Sequence, residues 1–585
     1  MKRAPLLLLL LCACRHAAPA KSETAQAAPA PPPVDVLKVA AELSAEAHAF
    51  LRSEGELLWT RWTTGTGPMP TSALAQHPRL MQRDNAELVR AAAAKSAGTD
   101  AAALKLFAQQ LTTQAAAHDA ANEIEALDRA RAQLIFAAAG DARPERGERD
   151  LDKLLSDEAD AKKRAATALE EAKAAAALVP LAMTRDAAEE KALGSSSWAS
   201  VIEAAHGMPV ADLAALAEKT LTATEAVASQ AVSEASVRNL GVTADRLRRA
   251  DLPRLVRQAP ADSEFVAGHA WPAAVQVLTA IGAQQASLKV DAEPSPSKGA
   301  RPLALLIDPP QDVRLSLRPA GGIAEQRATL HEGARALGGV STTQPRWELS
   351  QLGDGSASEG VALLFESLAG DPGWLREATA LRGEPLDDLV HTEVTRRLLT
   401  ARRAAAQVLF EIRRREGPRT AEAYSALYRG LAQRATFAVL SNEDAQRWTL
   451  QADAWLPAAP QLLGALLAAQ LELSLRTPAG NAGASAALAN ATSVPPVQAK
   501  TAGTAVAIQW WKQPSPPILK IWQGGRSLTA AEAAQGLGLT SLDPSALAQI
   551  ATERLSYQAP DAPPAKVKPD YKFMQGDKKR RRVKH

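Results

Sequence analysis

Apolar residues recur at three- and four-residue spacing along most of this chain, interrupted by short clusters of Pro, Gly and Ser. The alanine-rich stretches 101–139 and 150–179 hold few Gly or Pro and many Leu, Glu, Lys and Arg, a composition that favours long helices. A helical body is predicted from about Val34, with a buried helical face over 56–62 and a turn over 65–70. Helices continue to about Leu288, and 291–302, rich in Pro, Ser and Gly, reads as a connection. Two short apolar runs break the helical rule. Residues 303–308 and 313–317, bounded by Pro309-Pro310 and Pro319, are the strand candidates. Gly321-Gly322 reads as the turn into a helix that Gly338-Gly339 ends. A second helical segment covers 358–366. Helical periodicity then fills 377–470, broken at Gly417-Pro418 and near Leu456-Pro457, and 480–496 is a loop of small residues. Two closing helices follow at 528–537 and 544–557, with Thr529 and Asp543 as N-caps. The expected fold class is mainly α: a large helical body of two lobes, 34–290 and 300–560, with a short β edge before the helix at 323–337.

Composition narrows the classes. Hydrophobic residues make up 46% of the chain and aromatics only 4%, so the core must rest on Leu, Val and Ala, with the 11 Trp as local anchors. Lys and Arg (67) nearly balance Asp and Glu (64), which leaves no bulk field for a nucleic-acid partner. Lys2-Arg3 followed by the apolar run 6–11 predicts a secretory signal within 1–14, too short to span a membrane. The segment 11–14 has the form of a bacterial lipobox, making Cys14 the expected lipid anchor; Cys12 suits the role less, because Leu11 before it is bulky. Residues 15–33, rich in Ala and Pro, read as a tether. The expected location is the bacterial cell envelope, lipid-anchored through Cys14 and facing periplasm or cell surface. No cysteine other than Cys12 and Cys14 exists, so no disulfide or thiolate metal site is expected in the body. The tail 563–585 reads as a disordered basic run that meets anionic lipid or envelope polymer.

The chemistry centres on Thr329-Leu330-His331-Glu332-Gly333-Ala334-Arg335. In an H-E-x-x-H helix, histidines at i and i+4 share one face and grip zinc while the glutamate activates the metal-bound water. Here His331 and Glu332 occupy the first two positions and Arg335 stands where the second histidine belongs. Downstream, Glu359 lies in the first turn of the next helical segment, with Glu366 on the same face two turns on.

From Val313 through Gly321-Gly322 to Glu366 the chain resembles the thimet-oligopeptidase and oligoendopeptidase group of helical zinc peptidases, well over residues 300–375 and more faintly at Trp510-Trp511 and 521–525. The resemblance implies a zincin-like body in which the strands align substrate, His331 and Glu359 are vestigial zinc ligands and Glu332 is a vestigial general base. The departure at Arg335 is chemical: a guanidinium has only N–H donors and stays charged. Placed about 5 Å from a dication it costs roughly 6 kcal/mol at an effective dielectric near 20. No cofactor is therefore expected, with zinc the cofactor if the site still functions. An Arg335–Glu359 ion pair is expected in the metal's place.

A surviving zinc site would need a substitute ligand, for which His391 is the later candidate. Tyr424 and Tyr428 are the tyrosines nearest to where this group carries residues that steady the tetrahedral intermediate, but their i, i+4 spacing also suits core packing. No histidine accompanies Ser195-Ser196-Ser197 in a nucleophile arrangement, so a serine hydrolase is unsupported. Three readings stay open: an inactive peptidase-like protein that binds a peptide or an envelope protein, an active atypical zinc peptidase, and a purely structural envelope protein.

Overall fold

The computed structural model describes residues 35–67, 74, 76–139, 146–147, 150–194, 197–453, 455–476, 509–539 and 541–560. The signal with Cys14, the tether, the loop 480–496 and the basic tail lie outside the described residues. Helices hold 72% of the described residues and strands 4%, the mainly α architecture that the periodicity predicts. The described residues from Val36 onward form one compact unit. Its main hydrophobic core draws on residues from Leu127 to Leu542, so the core runs straight across the boundary expected between 290 and 300.

A three-stranded sheet precedes the motif helix. Asp312–Ser316 is its central strand, parallel to Leu288–Asp291 and antiparallel to Leu303–Asp308. The last two strands are those the sequence predicts; Leu288–Asp291 was expected as the end of a helix. It is short and half exposed, and it gains its strand character from pairing with a distant segment rather than from its own pattern. The first helix, Val36–Thr64, packs on the edge strand Leu303–Asp308: a Cβ at Gly55 would lie 3.1 Å from Ile307 Cγ1, and His48 Nε2 meets Asp308 Oδ1 at 3.0 Å.

The motif helix spans Ile323–Ser341. It enters from Gly321-Gly322, both at positive φ, with Glu325 accepting from the N–H of Ala320 at 2.7 Å. Gly338-Gly339 does not end it, contrary to expectation. Both glycines are used for close packing instead: a Cβ at Gly338 would stand 2.8 Å from Trp522, and one at Gly339 2.9 Å from Leu306. The helix therefore seats directly on the edge strand and on a buried indole, burial that outweighs the poor helix propensity of glycine.

The helix bearing Glu359, Ser356–Glu366, crosses Ala458–Arg476 at an equally close approach. A Cβ on Gly464 would fall 2.9 Å from Gly360 N and 3.0 Å from Glu359 Cγ. Ala458–Arg476 is long and apolar enough to cross a membrane, but it is 67% buried in the fold. It also carries Glu472, a fully buried carboxylate that accepts from Arg397 at 2.6 Å and Arg554 at 2.8 Å. Burial would raise the Glu472 pKa, but the surrounding guanidiniums hold it well below the usual carboxylate range.

The close crossing makes a stability prediction. Gly464→Ala should destabilise the fold by about 1–3 kcal/mol in urea unfolding, the usual cost of overpacking a filled contact; unchanged stability would mean that the two helices part freely.

Candidate functional site

Two helices bring the predicted residues together, the motif helix and Ser356–Glu366, and the long helix Glu384–Glu416 packs further charges against them. His331 lies between two carboxylates. Its Nδ1 is 3.0 Å from Glu366 Oε2, and its Nε2 is 3.6 Å from Glu359 Oε2 and 4.0 Å from Glu332 Oε1. Glu366 is held on its other oxygen by Arg396 Nη1 at 2.8 Å. Arg396 also donates to Glu393 at 2.9 Å, and Arg327 donates to the second oxygen of Glu393 at 2.5 Å.

Direct ion pairs join four carboxylates (Glu332, Glu359, Glu366 and Glu393) to three guanidiniums (Arg327, Arg335 and Arg396) and to His331, and the carboxylates on either side of the imidazole favour its charged form. Burial pulls the His331 pKa down, but bonding to Glu359 and Glu366 and their charge overcome it and raise it to about 10. Burial likewise opposes ionisation of Glu366, yet Arg396 and His331 hold it far below the usual carboxylate range. Glu359 is lowered too, with His331 and Arg335 prevailing over its burial.

Arg335 departs from expectation. It makes no ion pair with Glu359. Its Nη1 donates to Glu332, 3.1 Å from Oε1 and 3.3 Å from Oε2. The reason is local geometry: Glu332 sits three residues earlier on the same helix face, while His331 already faces Glu359. Glu332 Oε2 also accepts from the backbone N–H of Ala304, on the edge strand, at 2.9 Å. The side chain in the general-base position is thus bound by two donors of its own chain. The strand expected to align substrate has an outward group occupied there, and its Ile307 carbonyl accepts from Gln351 at 3.3 Å.

The donor set does not fit a tetrahedral zinc. Arg335, at the position of the second histidine, offers only N–H donors, and both Glu332 oxygens are engaged by Arg335 and Ala304. Among the described residues, no group of three or more His, Cys, Asp or Glu side chains is arranged to hold a metal ion. His391, the proposed substitute ligand, sits on the long helix with its Nε2 buried and without a hydrogen bond. His206 was not considered from sequence, yet its Nδ1 approaches Asp354 Oδ2 to 3.8 Å. Asp354 and Glu359 in turn share the neighbourhood of the half-buried Arg526, whose pKa is lowered first by burial and then by Arg335. Tyr424 and Tyr428 belong to the core, edge-on to Phe410 at 6.4 and 5.8 Å.

Sequence reasoning missed Arg327, Glu393, Arg396 and Arg526. The signal for three of them was present as charges interrupting apolar helix faces, which look the same as solvated surface residues until the neighbouring helices are placed. A cavity of about 670 Å³ is bounded by Arg327 and Arg396 but by none of His331, Glu332, Arg335, Glu359 or any tryptophan.

No protein-family model matches the chain, and no curated protein sequence matches it.

The raised His331 pKa carries a stability signature. The folded value of about 10 lies above the roughly 6.5 of an unfolded imidazole, so the contribution is complete below that lower value and fades as pH climbs through 10. Urea titrations of the wild type should therefore lose roughly 2–4 kcal/mol across this alkaline window, and His331→Gln should flatten the loss. Parallel slopes for the two proteins would show that His331 is not held as a cation.

Proposed function

We propose that this protein is a lipid-anchored envelope protein, tethered through Cys14, whose body is of the zinc-oligopeptidase type with the chemistry extinguished, and which acts by binding a peptide or envelope protein. The observation that carries this reading is the Arg335–Glu332 pair at 3.1 Å. It places a permanent cation at the position of the second histidine ligand and occupies the carboxylate that would activate water. Hydrolysis by this class of enzyme needs a Lewis acid, a metal-bound water and a free base; the present side chains leave the first without a ligand set and the last without a free oxygen. Retention of His331, Glu359 and Glu366 then follows from structure, since each neutralises another in a partly buried cluster.

The N-terminal features and the basic tail 563–585 place the protein, in this proposal, at the bacterial envelope, with the tail against anionic lipid or polymer. The alternative, an active atypical zinc peptidase, needs a substitute ligand in place of the second histidine. Arg335→His distinguishes the two. It should strengthen zinc binding by at least about 100-fold, because it removes a repulsive charge and adds a nitrogen ligand. Wild-type protein should leave short peptides intact whether or not zinc is supplied; cleavage that a chelator stops and that Glu332→Gln abolishes would refute the proposal.

A further inference from the structure

The cavity of about 670 Å³ lies within the size range of ligand pockets, roughly 300–1,000 Å³. It is walled by the long helix, the Gly321-Gly322 turn and segments 249–262 and 428–451. Eight basic side chains line it against three acidic ones, Asp152, Asp157 and Asp262. Most of the cations are satisfied. Lys153 and Arg257 pair with Asp157, Arg249 and Arg447 with Glu171, and Arg327 and Arg396 with Glu393. Arg301 and Arg403 remain, both exposed at the cavity and neither joined to a carboxylate among the described residues.

The neutral polar lining is also largely spoken for. Thr400 and Thr436 return their hydroxyls to carbonyls of their own helices, Gln258 donates to Asp388 O, and Gln407 donates to Gln451 O. A ligand rich in amides would find few partners there. The wall also carries apolar side chains, including Leu252, Val256, Leu399, Phe410 and Leu431. Apolar side chains beside two guanidiniums that no carboxylate pairs are complementary to an apolar body that carries one anionic head.

We propose that this cavity binds an amphipathic anion, a single acyl or alkyl chain ending in a carboxylate or phosphate, with its head between Arg301 and Arg403. Planar guanidiniums suit both head groups. The cavity shares Arg327 and Arg396 with the His331 cluster but is lined by none of His331, Glu332, Arg335 or Glu359, and the inference stands whether or not the protein hydrolyses peptides.

Isothermal titration of the purified protein with decanoate and with decyl phosphate tests it, with decanol and inorganic phosphate as the separated halves. At least one amphiphile should bind at a single site, and loss of head or tail should weaken binding about tenfold or more. Arg301→Gln and Arg403→Gln, both at exposed positions, should each weaken the amphiphile by about tenfold while leaving decanol unaffected. Preference for decanoate would point to a free fatty acid and preference for decyl phosphate to a phosphorylated lipid; either supports the proposal. It is overturned if neither amphiphile binds, if decanol or inorganic phosphate binds as well as the intact amphiphile, if the double variant binds normally, or if a tetrapeptide acid displaces decanoate at lower concentration than decanoate itself requires.

Discussion

Everything around the motif helix depends on Glu366, a partly buried carboxylate bound on one oxygen by His331 and on the other by Arg396. A carboxylate in that position is costly unless both oxygens are paired with cations. Three helices from separate parts of the sequence are thereby fixed to one another. Glu359 then has the far side of the imidazole as its counter-charge, and Arg335 is left to its own helix neighbour, Glu332. The arrangement is a closed lattice of charges in which each group is paired with the next.

Close packing makes the lattice geometrically accessible. Gly338 and Gly339 let the motif helix settle on Trp522 and Leu306, and Gly464 lets Ala458–Arg476 press against Gly360 and Glu359. With so few aromatic residues, the fold gains rigidity from such close approaches and from buried guanidiniums. Arg402 is one, donating to the carbonyls of Leu221, Arg434 and Ala435 while stacking over Phe437 at 4.7 Å. Arg414 is another, fully buried beside Glu411 and Asp186. Removing one member of such a network leaves its partner charged and unpaired, which is why buried charges of this kind constrain the packing of helices.

Features set by local chemistry were legible in the sequence. The strands expected at 303–308 and 313–317, the Gly321-Gly322 turn, the break at Gly417-Pro418 and the Thr529 N-cap all follow from neighbours a few residues apart. His331, Glu332, Glu359 and Glu366 do converge, because their helical spacing put them on faces that meet. Long-range chemistry was not legible. Nothing near Leu288 announces a parallel strand partner, and Gly338-Gly339 has the composition of a helix stop until Trp522 is placed beside it. The partner of Arg335 was misjudged because the i,i+3 contact on its own helix was available at less entropic cost than a reach across to Glu359. The cations that complete the site, Arg396 above all, belong to a helix whose buried face could not be told from its exposed one by charge alone.

The central claim is that a guanidinium and a protonated imidazole hold the positions where a metal and its ligands would be. The zinc content of the purified protein, measured by mass spectrometry after equilibration with micromolar zinc and removal of the free ion, tests this most directly. The account predicts far less than one zinc per chain; one tightly retained zinc per chain, lost on substitution of His331 or Glu359, would contradict it.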